Sequence, residues 1–465
     1  MKKFVRLLFA GLLTAIVLVL LLVLTPIKSS NVVVFRSLQD KQSIYTFTNH
    51  QTKSHPIIIE LRKFPFPYKA MLAISSDADH ETLRKFNLIH EFLNTTQMTP
   101  MGRGVGLDIA DSFFMYNGSD LHAFVDDHHT PIGKEFTYFK GVGDTRYGAK
   151  IIDAYIHDGW LDSMHTYGDF NMKNHAQTRF TRKLAVQAIQ ALQAAHDKVT
   201  VWIDHGNQSN VDNFGSYGFS RFYNYQKGAL PHSPYYHTDL LIPYGIKFVW
   251  TDRNSSVFGH QSMIYPVKLP DGREVWGFWR YTNGRERRPG VIRWLWSVDD
   301  LARQLSPKHL RAIIAHHQYA ILAQHFCADN TVLPLPQNAR DRLRLLAREY
   351  HDGKILVART SRLLKYNVTE RFLHYSVAHK NNQRIIHISA VRDPVFGTFT
   401  PTIDDLRGIT FYTPDPDNTI IEIGNTPIAP KFIQKNSDDG IASSVSIKWY
   451  KPDTANYSLT QPGVW

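Results

Sequence analysis

The chain has 465 residues, 43% hydrophobic and 20% charged, a globular composition too long for one ordinary domain. Its net charge is +12, yet the basic residues are scattered. The densest run, Arg285-Glu286-Arg287-Arg288, is too short for a nucleic-acid-binding arm, so no nucleic-acid partner is expected and the charge reads as weak affinity for anionic envelope or glycan surfaces.

In chain order, residues 1–6 (MKKFVR) carry three positive charges and residues 7–24 follow as 18 uncharged residues. That length suits a bilayer span, and the flanking Lys and Arg place its start in the cytoplasm. The run ends LVLTPIKSS, without a small-x-small cleavage site. The expectation is an uncleaved signal anchor: residues 1–29 are cytoplasmic tip and transmembrane helix, and the bulk of the chain lies outside the cytoplasm, on the periplasmic or extracellular face. Residues 30–64 read as a polar stalk or edge element. The single cysteine, Cys327, rules out an intrachain disulfide and leaves the fold to core burial.

From residue 65 strands and helices alternate. KAMLAISSD (69–77) is a strand, ETLRKFNLIHEFLN (81–94) a helix, 105–116 a strand region, 148–159 a helix closed by glycine, and 160–170 a short strand running into a loop. Residues 178–197 form an amphipathic helix and KVTVWIDHG (198–206) a strand. Residues 207–236, rich in Gly, Ser, Asn and aromatics, read as a long surface insertion. Strands follow at 246–252 and 274–281, a helix at 298–310, a strand at 310–320, a helix at 339–353 and a strand at 354–360. This alternation implies α/β architecture with a parallel sheet, here a distorted (β/α) barrel over residues 65–367. After residue 367 helical periodicity gives way to short alternating runs between turns, so 368–465 reads as an antiparallel β-sandwich.

Four of the expected strand ends carry Asp or His: Asp77 and Asp79; His165 with Asp169; Asp204-His205; and His316-His317. A single one is ordinary: Asp caps helices, and a lone His on an apolar strand is usually a core residue. Repetition at four strand exits is not, because a barrel gathers such ends on one face. Asp and His together suit a divalent metal, most simply Zn²⁺, with three protein ligands and an open position.

The order of these motifs resembles the NodB-homology polysaccharide deacetylases, carbohydrate esterase family four, over roughly residues 65–365. Ser75-Ser76-Asp77-Ala78-Asp79 is similar to their T-F-D-D-G, and residues 157–169 (HDGWLDSMHTYGD) to their G-H-E-I-G-x-H-T-x-x-H. Ile313-Ile314-Ala315-His316 resembles their closing strand ending Leu-His. The resemblance implies metal-dependent removal of N- or O-acetyl groups from an envelope or extracellular polysaccharide. It implies Asp77 as general base, His316 or His317 as acid, and Asp79, His165 and either Asp169 or His205 as metal ligands. Three departures stand out: Ala78 occupies the family's usual ligand position, Asp169 replaces a histidine, and Ile203-Asp204-His205-Gly206 lacks the arginine of the family's R-x-P-x-G. Tyr217, Phe219, Tyr223, Trp250 and Trp279 offer aromatic faces for sugar rings. Two other functions fit the same residues: a non-catalytic glycan-binding protein on a relic barrel, or a glycoside hydrolase working with two carboxylates and no metal.

Overall fold

A computed structural model describes residues 59–118, 135–170, 178–205, 210–215, 226–251, 254–285, 292–327 and 332–460. The expected span at 7–24 lies outside these. Among the described residues no helix is long and apolar enough to cross a membrane.

An eleven-stranded, mostly parallel sheet organises the molecule. Its strands are β1 (Ala70–Ser76), β2 (Asp111–Phe113), β3 (Leu161–Met164), β4 (Val201–Ile203), β5 (Phe248–Trp250), β6 (Asn254–Ser255), β7 (Ile264–Lys268), β8 (Glu274–Phe278), β9 (Arg280–Tyr281), β10 (Tyr319–Gln324) and β11 (Ile355–Val357). The order is β6-β9-β10-β1-β2-β3-β4-β5-β8-β7, with β11 also on β1. Eight helices are described: α1 (Leu83–Asn94), α2 (Ala149–Asp158), α3 (Arg182–Ala194), α4 (Thr238–Tyr244), α5 (Val298–Gln304), α6 (Pro307–Ala315), α7 (Gln337–His351) and α8 (Thr360–Phe372).

All seven residues of β1 are buried, as its unbroken apolar run requires of a central parallel strand covered on both faces. Ala70, Leu72 and Ile74 face a helical layer with Ile89 and Phe92 of α1, Ile313 of α6 and Leu343 of α7. Met71 and Ala73 face the opposite way, among Val201, Ile203, Phe248, Trp276 and Ile321. Alternation therefore sends Ser75 and then Asp77, just past the strand, to the end of that second layer.

The barrel expectation is corrected by the ladder. Among the described residues it ends at β6 on one side and at the antiparallel β7 on the other, so they close no barrel. The sheet nevertheless curls. β8 and β9 lie near opposite ends of the ladder, yet only Trp279 separates them in the chain. Trp279 bonds its N–H to Met263 O, and this break in the run at 274–281 interrupts the ladder where a barrel would continue it.

The tail also differs from a simple antiparallel sandwich. Of its two small sheets, one contains a parallel pair, Gln383–Asp393 beside Thr419–Ile423. The other joins Thr410–Tyr412, Ser444–Ile447 and Ile433–Asn436 to Leu61–Arg62, from before the large sheet. One apolar cluster runs from Met71 and Trp276 through Leu363 and Leu364 of α8 to Ile386, Phe411 and Val445. Residue 368 lies inside α8, and the described residues on both sides of it belong to one compact unit.

A second correction moves chemistry. Residues 310–320, expected as a strand, are mostly α6. Ser306 caps it by accepting from His309 N–H, Pro307 opens it, and Leu310 and Ile313 pack inward. The strand, β10, begins only at Tyr319. His316 is the C-cap of α6, and His317 turns the chain with φ +49°; both are exposed. They stand at the start of β10, whereas the polar cargo of the other strands stands at their ends.

Candidate metal centre

Asp77 and Asp79 leave β1, His165 follows β3 directly, His205 lies two residues beyond β4, and His325 follows β10 directly. Three imidazoles meet one carboxylate. His205 Nε2 is 2.8 Å from Asp79 Oδ1; His165 Nε2 and His325 Nε2 are 3.1 and 3.3 Å from Asp79 Oδ2. Asp79, His165 and His205 form one group of ligand atoms within 4.8 Å of each other that can hold a metal ion, and Asp77, Asp79 and His325 form another.

The backbone sets these side chains. Asn213 accepts from His205 N–H at 3.0 Å and donates its amide to His205 O, clamping that residue. Phe114 stacks on the His165 ring at 5.3 Å. His165 Nδ1 is 3.2 Å from Ile203 O. A carbonyl only accepts, so Nδ1 donates to it, and Nε2 is the nitrogen turned to Asp79. Asp79 Oδ2 is buried and accepts no hydrogen bond. A cation between that oxygen and the Nε2 atoms around it would satisfy it. Ligands held about 2.0–2.2 Å from one tetrahedral Zn²⁺ lie roughly 3.3–3.6 Å apart, so separations of 2.8 and 3.1 Å need to open by less than about 1 Å to admit one. The residues present therefore fit a divalent ion.

Without an ion the same contacts act on protons. Burial alone would raise Asp79, but His205 and His165 outweigh it and hold the carboxyl well below its usual range. Burial would lower His205; the Asp79 carboxylate, helped by Asp169 and Asp77, pushes it up to about 10. His325 is likewise raised: Asp79 and Asp77 overcome its desolvation.

Asp77 is placed differently from Asp79. Arg280, fully buried in β9, donates from Nη2 to Asp77 Oδ1 at 2.9 Å and to Ser75 O at 3.0 Å. The other oxygen, Oδ2, faces His325 Nε2 at 3.6 Å. A guanidinium this close disfavours a second cation on Asp77 and holds its carboxylate between Arg280 and His325.

Of the residues expected in the site, Asp77, Asp79, His165 and His205 come together. Asp169 is buried nearby, its strand partner being Asn117; its charge acts on His205, but it belongs to neither ligand group. His316 and His317 stand elsewhere; His317 Nδ1 bonds Lys69 O instead. Trp250 is buried with the Arg280 guanidinium 4.5 Å over its ring, and Trp279 stacks on His260 and tilts against Tyr265. Trp279 is half-buried, and Trp250 has one face covered by the guanidinium. Tyr217, Phe219 and Tyr223 lie outside the described residues. Asp204 folds inward and accepts from Trp202 Nε1 and Phe214 N–H.

Four contributors were missed: His325, Arg280, Glu135 and Trp296. His325 had the right signal, an apolar run (YAILAQ) followed by His. Trp296 is 43% exposed, packs edge-on against His325 at 4.8 Å, and accepts His325 N–H through its carbonyl. It is the half-open aromatic surface beside the centre. Glu135 is buried and accepts from His80 N–H and Asn117 Nδ2.

No protein-family model matches the chain, and no curated protein is significantly similar to it.

Proposed function

We propose that this chain is a metal-dependent hydrolase that removes acetyl groups from a polysaccharide outside the cytoplasm, anchored by residues 7–24. The observation that carries the reading is the gathering about Asp79: the His165, His205 and His325 imidazoles reach its carboxylate, and an arginine-held carboxylate, Asp77, stands beside His325. The motif resemblance at residues 75–79 and 157–169 supplies the substrate class.

Asp79, His165 and His205 would hold the ion, leaving a further position open. When bound, Zn²⁺ would polarise the acetyl carbonyl and lower the pKa of its water. Arg280 fixes Asp77 through Oδ1, so Oδ2 is the oxygen that accepts the proton of the attacking water. The water oxygen bonds to the carbonyl carbon, the bond from that carbon to the sugar nitrogen or oxygen breaks, and His325 gives that atom a proton. Acetate and the free amine or hydroxyl are the products. Trp296, beside His325, offers its exposed face to a sugar ring.

The test is acetate release from an acetylated oligosaccharide by the full-length protein, with Zn²⁺ and after chelation. Release that depends on metal, without shortening of the sugar chain, is expected. Chain shortening unaffected by chelation would replace this reading with the glycosidase, and sugar binding without turnover with the glycan-binding protein.

A proton balance follows from the geometry. With His205 pushed up to about 10, the metal-free centre holds a proton at pH 7 that a metal ligand cannot keep. Binding Zn²⁺ at pH 7 is expected to release about one proton per ion, read as the difference in binding heat between buffers of unlike ionisation enthalpy. In metal-free protein the sign is that of a raised histidine. Its stabilising pairing is complete below its unfolded value near 6.5 and is lost as pH rises through about 10.

A further inference from the structure

Glu135 is a carboxyl buried close to the centre. It is 2% exposed, and desolvation, followed by the Asp169 and Asp79 charges, raises its pKa well above the usual carboxylate range. A hydrophobic residue of similar volume at such a site is often neutral or stabilising for the fold. Its geometry shows what the carboxyl does there.

Residues 135–139 run as a stitched segment. Phe136 N–H bonds Glu81 O at 2.7 Å, Tyr138 N–H bonds Phe114 O at 3.1 Å, and Phe139 N–H bonds Met115 O at 2.8 Å. This brings Glu135 against the loop leaving β1. Its Oε1 accepts from the backbone N–H of His80 at 3.0 Å, and its Oε2 from Asn117 Nδ2 at 2.9 Å. His80 immediately follows Asp79 and has φ +61°, a left-handed conformation that costs a non-glycine residue about 1–2 kcal/mol. The reversal at His80 turns the chain back into α1 while Asp79 stays among three imidazoles. Asn117 in turn belongs to a short strand paired with Gly168–Asp169, just beyond His165. Glu135 thus ties the loop that carries Asp79 to the strand that pairs with the loop beyond His165.

We propose that Glu135 is a positioning residue of the metal centre: it grips the His80 backbone and the Asn117 amide, and so holds the Asp79 carboxylate where the His165 and His205 nitrogens meet. The inference rests on the metal reading above. Groups that orient ligands from outside the coordination sphere typically set metal affinity by 10–100-fold. Gln at 135 keeps an acceptor for His80 N–H, and the Asn117 amide can turn to suit its other atom; Ala keeps neither bond.

The experiment titrates Zn²⁺ into full-length wild type, Glu135→Ala and Glu135→Gln against a chromophoric chelator, and measures the thermal midpoint of each metal-free protein. The Ala variant is expected to bind roughly 10–100-fold more weakly, with Gln within about threefold of wild type. A role in folding alone would move the midpoint and leave the affinity. The inference is overturned if folded Glu135→Ala binds like wild type, or if Glu135→Gln is as weak as Ala, which would make the charge itself the working part. Should Glu135→Ala fail to fold, Asn117→Ala takes its place. It frees one oxygen of the carboxyl and is expected to weaken binding several-fold; unchanged affinity there overturns the inference. A wild type that takes up no Zn²⁺ sinks the metal reading and this inference with it, an outcome distinct from all of these.

Discussion

Asp79→Ala is expected to lose metal uptake and acetate release together, whereas Asp77→Asn keeps the metal and loses turnover roughly 10²–10⁴-fold, the usual worth of a general base. The two carboxylates are two residues apart, but their partners differ. Asp79 is the meeting point of His165 and His205, and without it two imidazoles remain, short of the three ligands a catalytic site keeps. Asp77 touches neither of those histidines; its contacts are Arg280 and His325. Asn at 77 still accepts from Arg280 but no longer balances a fully buried guanidinium. A stability loss of up to about 3–5 kcal/mol is therefore expected beside the kinetic one, so turnover is to be measured on protein shown folded by circular dichroism. Zn²⁺ stoichiometry separates the variants. If both retain metal and both lose activity to the same degree, the division of roles between them is wrong.

The site was readable where an apolar run is long and strand-like. KAMLAISSD and KVTVWIDHG each end in the polar residues that the structure brings together, because a strand buried on both faces must surface at its end. The same rule misplaced the histidine of β10. LRAIIAHH holds four apolar residues in five positions, a run that fits a buried helix and a buried strand equally well. Ser306-Pro307, a helix start, was the signal that decides between them. Curling without closure was not readable, since ladder register depends on tertiary pairing and on the break at Trp279. Arg280 and Glu135 were invisible for a different reason. Neither follows a strand: one sits within β9, in WGFWRY, and the other arrives on a stitched segment, in GKEFTYF. Their roles come from what the sheet and its loops place beside them, not from any local pattern.

His325→Ala is expected to lower kcat roughly 10²–10⁴-fold while metal binding persists, and His316→Ala and His317→Ala are expected to stay within about twofold of wild type, as exposed substitutions away from a site do. Position decides this. From His317 to His325 the chain travels along β10, roughly 20–25 Å at about 3.3 Å per residue, from one end of the sheet to the other. His316 and His317 are exposed; the His316 carbonyl accepts from Gln261, and the His317 ring bonds Lys69 O. His325 Nε2 instead lies between the two site carboxylates, 3.3 Å from Asp79 Oδ2 and 3.6 Å from Asp77 Oδ2. Those charges outweigh desolvation and raise its pKa, which favours the protonated ring that a donor to a leaving amine or alkoxide requires. The wild-type rate should fall at high pH as His325 loses that proton, and the limb should vanish from the His325→Ala profile. Loss of Zn²⁺ with His325 would make it a ligand rather than an acid. A His316 or His317 variant as inactive as His325→Ala would return the acid to the other end of the strand and undo the placement argued here.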